Sequence, residues 1–338
     1  MAKIKTGIVG CGRISAVYKN VFKELADMAA PAFAVDRDLS RAGEFASEFG
    51  ASYSDKLEDM LDAKPDIVHI CTPHFLHKEQ VIACLEHGIN VLCEKPIAIN
   101  LADAQAMIDT AKNTGSKLGI IFQNRYIKGI VELKKAILEG RLGRLVNAVS
   151  TLNWHRPPSY YECDWKGSWE KEGGGVLIDQ AIHSIDLVRY LAGSPVKSID
   201  GRIGTKVLTK LEVEDWAQAT VEFQNGVVYS LSANNYNDVN APISIDITGE
   251  NGSAHFDGET AVITTKDGTQ IIAPEKAGMY GESYWDHTHF LQIKDCYRAH
   301  LNGEPYPVPP EEAKKTLAVV LGVYESSRQN KKIFLQED

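Results

Sequence analysis

The sequence predicts two domains of different class: an α/β domain on a parallel sheet, then an α+β domain on an antiparallel one. Short apolar runs alternate with helix-period segments over the first third of the chain. That is the pattern of buried parallel strands joined by crossover helices. After about Tyr126 the strand-like runs are separated by turn residues, as hairpins require. The 338 residues also exceed one ordinary domain of roughly 100–200 residues. Domains are therefore expected at residues 1–126 and 127–338.

In the first domain, strands are expected at 3–9, 32–35, 66–72, 90–93 and 117–123, each a short run rich in Ile, Val, Leu or Ala. Helices are expected at 14–26, 39–49, 57–61, 77–87 and 101–113. Pro65 closes the third and Gly88 the fourth. Asn100 is the expected N-cap of the last, and Gly115 follows its end. In the second domain a helix at 129–138 precedes a long strand at 145–154. An aromatic loop spans 155–174, and a helix covers 176–191. Strands follow at 198–208, 215–223, 227–234, 243–248, 253–256 and 260–264. Gln224-Asn225-Gly226 and Glu250-Asn251-Gly252 are hairpin turns. Helices return at 285–300 and 310–327.

Composition excludes several function classes. With 36 Lys+Arg against 45 Asp+Glu the net charge is −9, which opposes nucleic acid and anionic membrane unless a basic patch exists. The longest basic runs are the pairs Lys134-Lys135, Lys314-Lys315 and Lys331-Lys332. No stretch approaches the roughly 20 apolar residues that span a bilayer. The start, Met1-Ala2-Lys3-Ile4-Lys5, has no signal-peptide pattern. Six cysteines without a C-x-x-C pair read as free thiols, so a cytoplasmic location is expected.

Gly10-Cys11-Gly12-Arg13-Ile14-Ser15 lies between the first strand and its helix. A tight turn there lets backbone approach a pyrophosphate, and the helix N-terminus faces its charge. Gly10, Gly12, Arg13 and Ile14 are the candidate contacts, with Ser15 where a third glycine is usual. Asp36 ends the second strand 24 residues after Gly12, where a carboxylate accepts ribose hydroxyls. Asp36 favours NAD; its neighbour Arg37 keeps NADP as the alternative.

Two further segments carry chemistry. Glu94-Lys95-Pro96 follows a buried strand, where ligands bind such sheets, so Lys95 is either a site lysine or a solvated one. Asp179 and His183 stand four apart on the helix after Gly173-Gly174-Gly175 and share a face. A carboxylate, an imidazole and a lysine on one cleft suit removal of a hydroxyl proton as hydride leaves. An ion pair or a metal pair is the other reading of Asp179 and His183. No H-E-x-x-H motif supplies further ligands, and no metal is expected. Asp186, three residues on, is a competing carboxylate.

These motifs, in this order and spacing, resemble the Gfo/Idh/MocA (glucose–fructose oxidoreductase / inositol dehydrogenase) family over nearly the whole chain. The resemblance implies a Rossmann domain followed by a domain on a large open, mostly antiparallel sheet. It also implies NAD(P)-linked chemistry at a sugar or polyol hydroxyl, in homodimers or homotetramers. It makes Lys95, Asp179 and His183 the catalytic triad, with His183 as acid/base and Lys95 polarising the hydroxyl. Thr72 and Pro73 would line the dinucleotide with Glu94 and His77 nearby, although His77 alone reads as structural. Asn124 would lie near nicotinamide and substrate, and Trp165-Lys166 would reach the cofactor.

Arg156, Tyr160, Tyr161, Trp165 and Trp169 form an aromatic loop that suits a sugar or nucleobase face, or else an interface. Arg156 and Tyr160 are candidate substrate contacts, and Tyr280, with Tyr284, His287 and His289, forms a second wall. The loop and glycine pattern also looks like the branch acting on nucleotide-linked amino-sugar uronates. An NAD-dependent glycosidase and a non-catalytic cofactor-binding protein are the remaining readings.

Overall fold

The structure, a computed structural model, describes residues 3–274 and 284–335. The chain forms two units. The first comprises residues 3–123 with 284–314, and the second 124–274 with 315–335. The chain thus re-enters its first unit late, a return that a single division at 126 does not contain.

The first unit runs β1 (Ile4–Val9), α1 (Ser15–Glu24), β2 (Ala29–Val35), α2 (Leu39–Ser47), β3 (Ser52–Ser54), α3 (Leu57–Ala63), β4 (Ile67–Ile70), α4 (His77–Glu86), β5 (Asn90–Glu94), α5 (Leu101–Thr114) and β6 (Leu118–Ile121). All strands are parallel, in the order β3-β2-β1-β4-β5-β6. The order reverses between β1 and β4, so ligands are favoured beyond the carboxyl ends of those two strands. β4 is buried at every position, as a strand covered on both faces must be. Caps set the helix ends: Asn100 accepts the Asp103 amide at 2.8 Å, and Gly115 takes φ +75 past α5. β3 was not expected, because Ser52-Tyr53-Ser54 is too short and polar to show a strand period.

The second unit opens with α6 (Lys128–Leu138) and β7 (Leu145–Asn153). A π-turn (Leu177–Ala181) then runs straight into α7 (Ile182–Ala192). There follow β8 (Val196–Gly204), β9 (Trp216–Phe223), β10 (Val228–Asn234), β11 (Ser244–Gly249), β12 (Gly252–Phe256), β13 (Ala261–Thr265) and β14 (Gly268–Ile272). α8 (Tyr284–Asn302) belongs to the first unit, where Phe290, Ile293 and Tyr297 pack with Ile8, Tyr18 and Phe22. Each such buried side chain stabilises by roughly 1.5–3 kcal/mol. α9 (Pro310–Gln329) leads back to the second unit, which β15 (Ile333–Phe334) completes.

The sheet order there is β14-β13-β12-β11-β7-β10-β9-β8-β15, antiparallel throughout except the β7/β10 pair. β8 stops at Gly204, short of the expected 208. The buried Asp215 carboxylate gathers the amides of Lys206, Val207 and Leu208 at 2.7–2.8 Å and turns the chain off the sheet. β14 escaped notice because four of its five residues are exposed. All six cysteines are free. No helix among the described residues is long and apolar enough to cross a membrane.

Candidate active site

The glycine turn sits at the strand-order reversal. Gly10 adopts φ +95, and a Cβ there would stand 2.7 Å from the Cys71 backbone, which only glycine avoids. Gly12 faces open space within 4 Å, where a large group can approach the backbone. Ser15 is buried and its hydroxyl donates to the Gly12 carbonyl at 2.6 Å, so it closes the turn from inside. Among the described residues no side chain caps α1, and no acidic residue stands in its first turn, an end suited to an anion. Arg13 is exposed beside this end and Ile14 precedes the helix. The Asp36 carboxylate accepts the Cys11 amide at 2.8 Å and the Asp38 amide at 2.9 Å; Arg37 beside it is exposed. A narrow glycine cradle, a bare helix end and a carboxylate at the end of β2 fit the pyrophosphate and ribose of NAD.

Thr72 and Pro73 leave β4 at the same end, and the Thr72 hydroxyl donates to Gln80 at 2.5 Å. His77 is fully buried. Its ring nitrogens lie 2.8 Å from the Pro96 carbonyl and 2.9 Å from the Thr72 carbonyl. It therefore ties the loop after β4 to the loop after β5, and burial pulls its pKa down. Both ring nitrogens are thus engaged by backbone, the structural role that His77 suggested by itself. The Glu94 side chain is likewise turned inward. Its carboxylate is buried, accepts the Tyr18 hydroxyl at 2.8 Å and lies 3.3 Å from His289 Nε2. Burial raises its pKa, but these hydrogen bonds outweigh that and hold it below the usual carboxylate range. His289 is thereby a core residue and not a wall of the site. Lys95 is half-buried at the end of β5, with a cis peptide to Pro96.

In the second unit Asp179 lies on the π-turn and His183 on the first turn of α7, both less than a tenth exposed. A regular helix over 176–191 was expected; the π-turn adds a residue to this stretch, a feature frequent at functional sites. Asp179 Oδ2 receives three donors: the Tyr160 hydroxyl at 2.6 Å, the Lys166 ammonium at 2.6 Å and the Gln180 amide at 2.5 Å. Lys166 also reaches Glu172 Oε1 at 3.1 Å. The structure thus gives Lys166 two carboxylate partners, where the sequence reading gave it only a cofactor. Burial and the Asp179 charge push the Tyr160 phenol up to about 12.

The start of this helix is clamped from behind. Glu214 accepts the Gly175 and Leu177 amides at 2.8 and 3.0 Å and the Tyr324 hydroxyl at 2.9 Å. Its backbone carbonyl takes the Val176 amide at 3.1 Å. A Cβ at Gly175 would stand 1.9 Å from that carbonyl, and one at Gly174 2.0 Å from the Tyr324 hydroxyl oxygen. The glycine run is a packing requirement. Burial pushes the Glu214 carboxyl up to about 7.

Arg156 is held by the His155 carbonyl and Asn240, with its guanidinium over the rings of Trp154 and Tyr160 at 4.6 and 5.1 Å. Trp165 lies under the Lys166 ammonium at 4.3 Å. Asn124 is buried, and its Oδ1 has no hydrogen-bond partner among the described residues. Asp186 is not a rival to Asp179. It forms a buried bidentate pair with Arg125 at 2.6 and 2.7 Å. Tyr280 lies outside the described residues. No group of three His, Cys, Asp or Glu among the described residues could hold a metal ion.

Four residues of this constellation were not named as site residues: Glu172, Gln180, Glu214 and Asn235. Asn235 is fully buried and donates to Gln180 and Tyr161 at 3.0 Å. The one signal for Glu214 was a carboxylate pair, Glu214-Asp215, at the head of an apolar strand. Charge is seldom placed there without buried partners.

The profile "Oxidoreductase family, NAD-binding Rossmann fold" matches residues 4–122, and "GFO/IDH/MocA C-terminal domain" matches residues 130–255. Myo-inositol 2-dehydrogenase of Thermotoga maritima is 26% identical over 99% of both chains. D-glucoside 3-dehydrogenase of Escherichia coli is 32% identical over 66% of this chain and 68% of its own. The crystal structure of the WlbA dehydrogenase from Bordetella pertussis, in complex with NADH and UDP-GlcNAcA, superposes over 100% of both chains with a TM-score of 0.86 and 29% identity. With both of its domains matched, the chain belongs to the Gfo/Idh/MocA oxidoreductase family and is an NAD-dependent oxidoreductase acting on CH–OH groups.

Proposed function

We propose that the protein oxidises a ring hydroxyl of a sugar or polyol, or reduces the corresponding ketone, with His183 as the acid/base. The observation that carries this is the buried Asp179–His183 segment, in which Asp179 Oδ2 receives three donors and whose helix start is clamped. NAD, when bound, accepts the hydride from the carbinol carbon. His183 takes the hydroxyl proton as the C–H bond breaks, and gives it back in the reverse direction. Lys95 polarises the hydroxyl and stabilises developing alkoxide charge. Asp179 orients the acid–base group and offsets its positive charge. Asn124, whose buried Oδ1 has no partner among the described residues, and Arg156, over two aromatic rings, are the proposed substrate contacts.

A second reading, a dehydrogenase of nucleotide-linked sugar uronates, is supported by the full-length likeness to the WlbA dehydrogenase and by Arg156, a cation suited to carboxylate or phosphate. NADH formation followed over inositols, free aldoses, sugar phosphates and UDP-linked sugar acids tests both. Turnover of free sugars or polyols supports the first; turnover restricted to UDP-linked acids replaces it with the second. Substrate cleavage without net NADH would overturn both in favour of a glycosidase.

A further inference from the structure

Asp179 is one of two buried carboxylates around a single ammonium. Lys166 Nζ lies 2.6 Å from Asp179 and 3.1 Å from Glu172, and all three side chains are nearly excluded from water. Glu172 Oε2 accepts the Gly167 amide at 2.5 Å, so the loop from Lys166 to Glu172 closes on itself and fixes the carboxylate beside the lysine. The Lys166 ammonium also sits over the rings of Tyr160 and Trp165, at 4.6 and 4.3 Å.

Charge counting makes this cluster unusual. With every group ionised it carries two negative charges and one positive in a buried place. One proton neutralises it. Two carboxylates competing for one cation in low dielectric do not both ionise readily; one takes up the proton. The geometry says which. Asp179 has three donors on one oxygen, the arrangement that favours a carboxylate, whereas Glu172 has the longer bond to the lysine. Burial first, then the charge of Asp179, pushes the Glu172 carboxyl up to about 8.

We infer that Glu172 is a positioning residue of the acid–base site, holding an exchangeable proton whose presence decides whether Lys166 serves Asp179 alone or is shared by two carboxylates. This rests on the reading of Asp179 and His183 as the acid–base pair. When Glu172 is protonated, the Lys166 charge is spent on Asp179. When Glu172 ionises, the cluster gains a net negative charge immediately before the glycine run that leads into the His183 helix, and a protonated imidazole is favoured. No bond changes other than the O–H of the Glu172 carboxyl, whose proton exchanges with solvent. The groups facing Glu172 are Lys166 from its own loop, Asp179 from the π-turn, Tyr161 from the turn Pro158–Tyr161, and Tyr324 from α9, with Tyr160 beside Lys166 and Asp179. The phenols are all raised by burial and remain neutral through this range, so Glu172 is the group among them that titrates.

The test uses the full-length protein and two readouts. In infrared titration without substrate, the wild type should show two protonated-carboxyl components, one lost through about pH 7 from Glu214 and one lost through about pH 8. Glu172→Gln should lack the second component, while Glu214→Gln should lack the first and keep the second. In kcat–pH profiles with the best hydroxyl substrate, Glu172→Gln should lose the alkaline ionisation that the wild type shows, with KM for NAD unchanged. A conservative Glu172→Asp variant should regain an ionisation at shifted pH. The inference is overturned if the wild type lacks the second component, if Glu172→Gln retains it, or if the Glu172→Gln profile superposes on that of the wild type. If no hydroxyl substrate is turned over, the acid–base reading fails, and the infrared titration still decides the protonation of Glu172.

Discussion

The Asp36 carboxylate accepts the Cys11 backbone amide at 2.8 Å, so the residue suited to bind the adenosine ribose also braces the glycine turn suited to bind the pyrophosphate. Asp36→Ala should therefore cost affinity in two ways, through lost ribose bonds and a looser turn. NADP should suffer only the second, because a carboxylate repels its 2′-phosphate. The ratio of kcat/KM for NAD over NADP should fall by about tenfold or more in Asp36→Ala. Steady-state kinetics with both dinucleotides measures it; an unchanged ratio would remove Asp36 from cofactor selection.

His183→Ala and Lys95→Ala should each lower kcat by about 10²-fold or more, the typical contribution of acid–base and electrostatic groups. Neither should alter NADH binding greatly, which quenching or enhancement of dinucleotide fluorescence reads separately. Full activity in His183→Ala would assign the proton transfer to another group.

Glu214 supplies a stability prediction with a definite sign. Burial raises its pKa in the folded protein from the ordinary 4.5 to about 7. Between those values the folded state holds a proton that the unfolded chain has released. Stability from this group is therefore full below about pH 4.5, falls as pH rises, and levels off above about pH 7, a loss of a few kcal/mol. Glu214→Gln should flatten the slope in urea unfolding measured across that range. Equal slopes in both proteins would show that Glu214 is ionised throughout.

Asp186→Ala leaves the Arg125 guanidinium buried without its bidentate partner and takes the acceptor of the Thr316 hydroxyl. Such a broken pair destabilises by about 3–5 kcal/mol. The double variant Arg125→Met, Asp186→Leu removes both charges and should recover much of this. Urea denaturation of the single and double variants checks it; equal losses would mean that packing and not charge dominates here.

The glycine turn, Asp36, the two hairpins and the alternating first unit were legible because each rests on local chemistry. A turn needs φ above zero, a strand covered on both faces needs an apolar run, and a helix end needs a cap. The partners of Asp179 were not legible in this way. Lys166 lies 13 residues before it and reads locally as a loop lysine; only folding sets it against the π-turn. The partners of Glu94 were hidden in the same way: Tyr18 and His289 are 76 and 195 residues distant. Asp186 read as a carboxylate competing with Asp179, and its partner Arg125, 61 residues away, pairs with it in the core.

The π-turn at Leu177–Ala181 has a consequence for how this segment tolerates change. An α-helix advances about 100° per residue, so one surplus residue offsets the phase of everything before it from everything after it. Ahead of the surplus, orientation is dictated by Glu214 gripping Gly175 and Leu177; beyond it, by buried Leu187, Val188 and Leu191. The surplus residue works as a vernier that lets both grips hold at once. Deleting a single residue here would force one of them to slip, swinging either Asp179 or His183 through about a right angle while leaving the helix itself continuous.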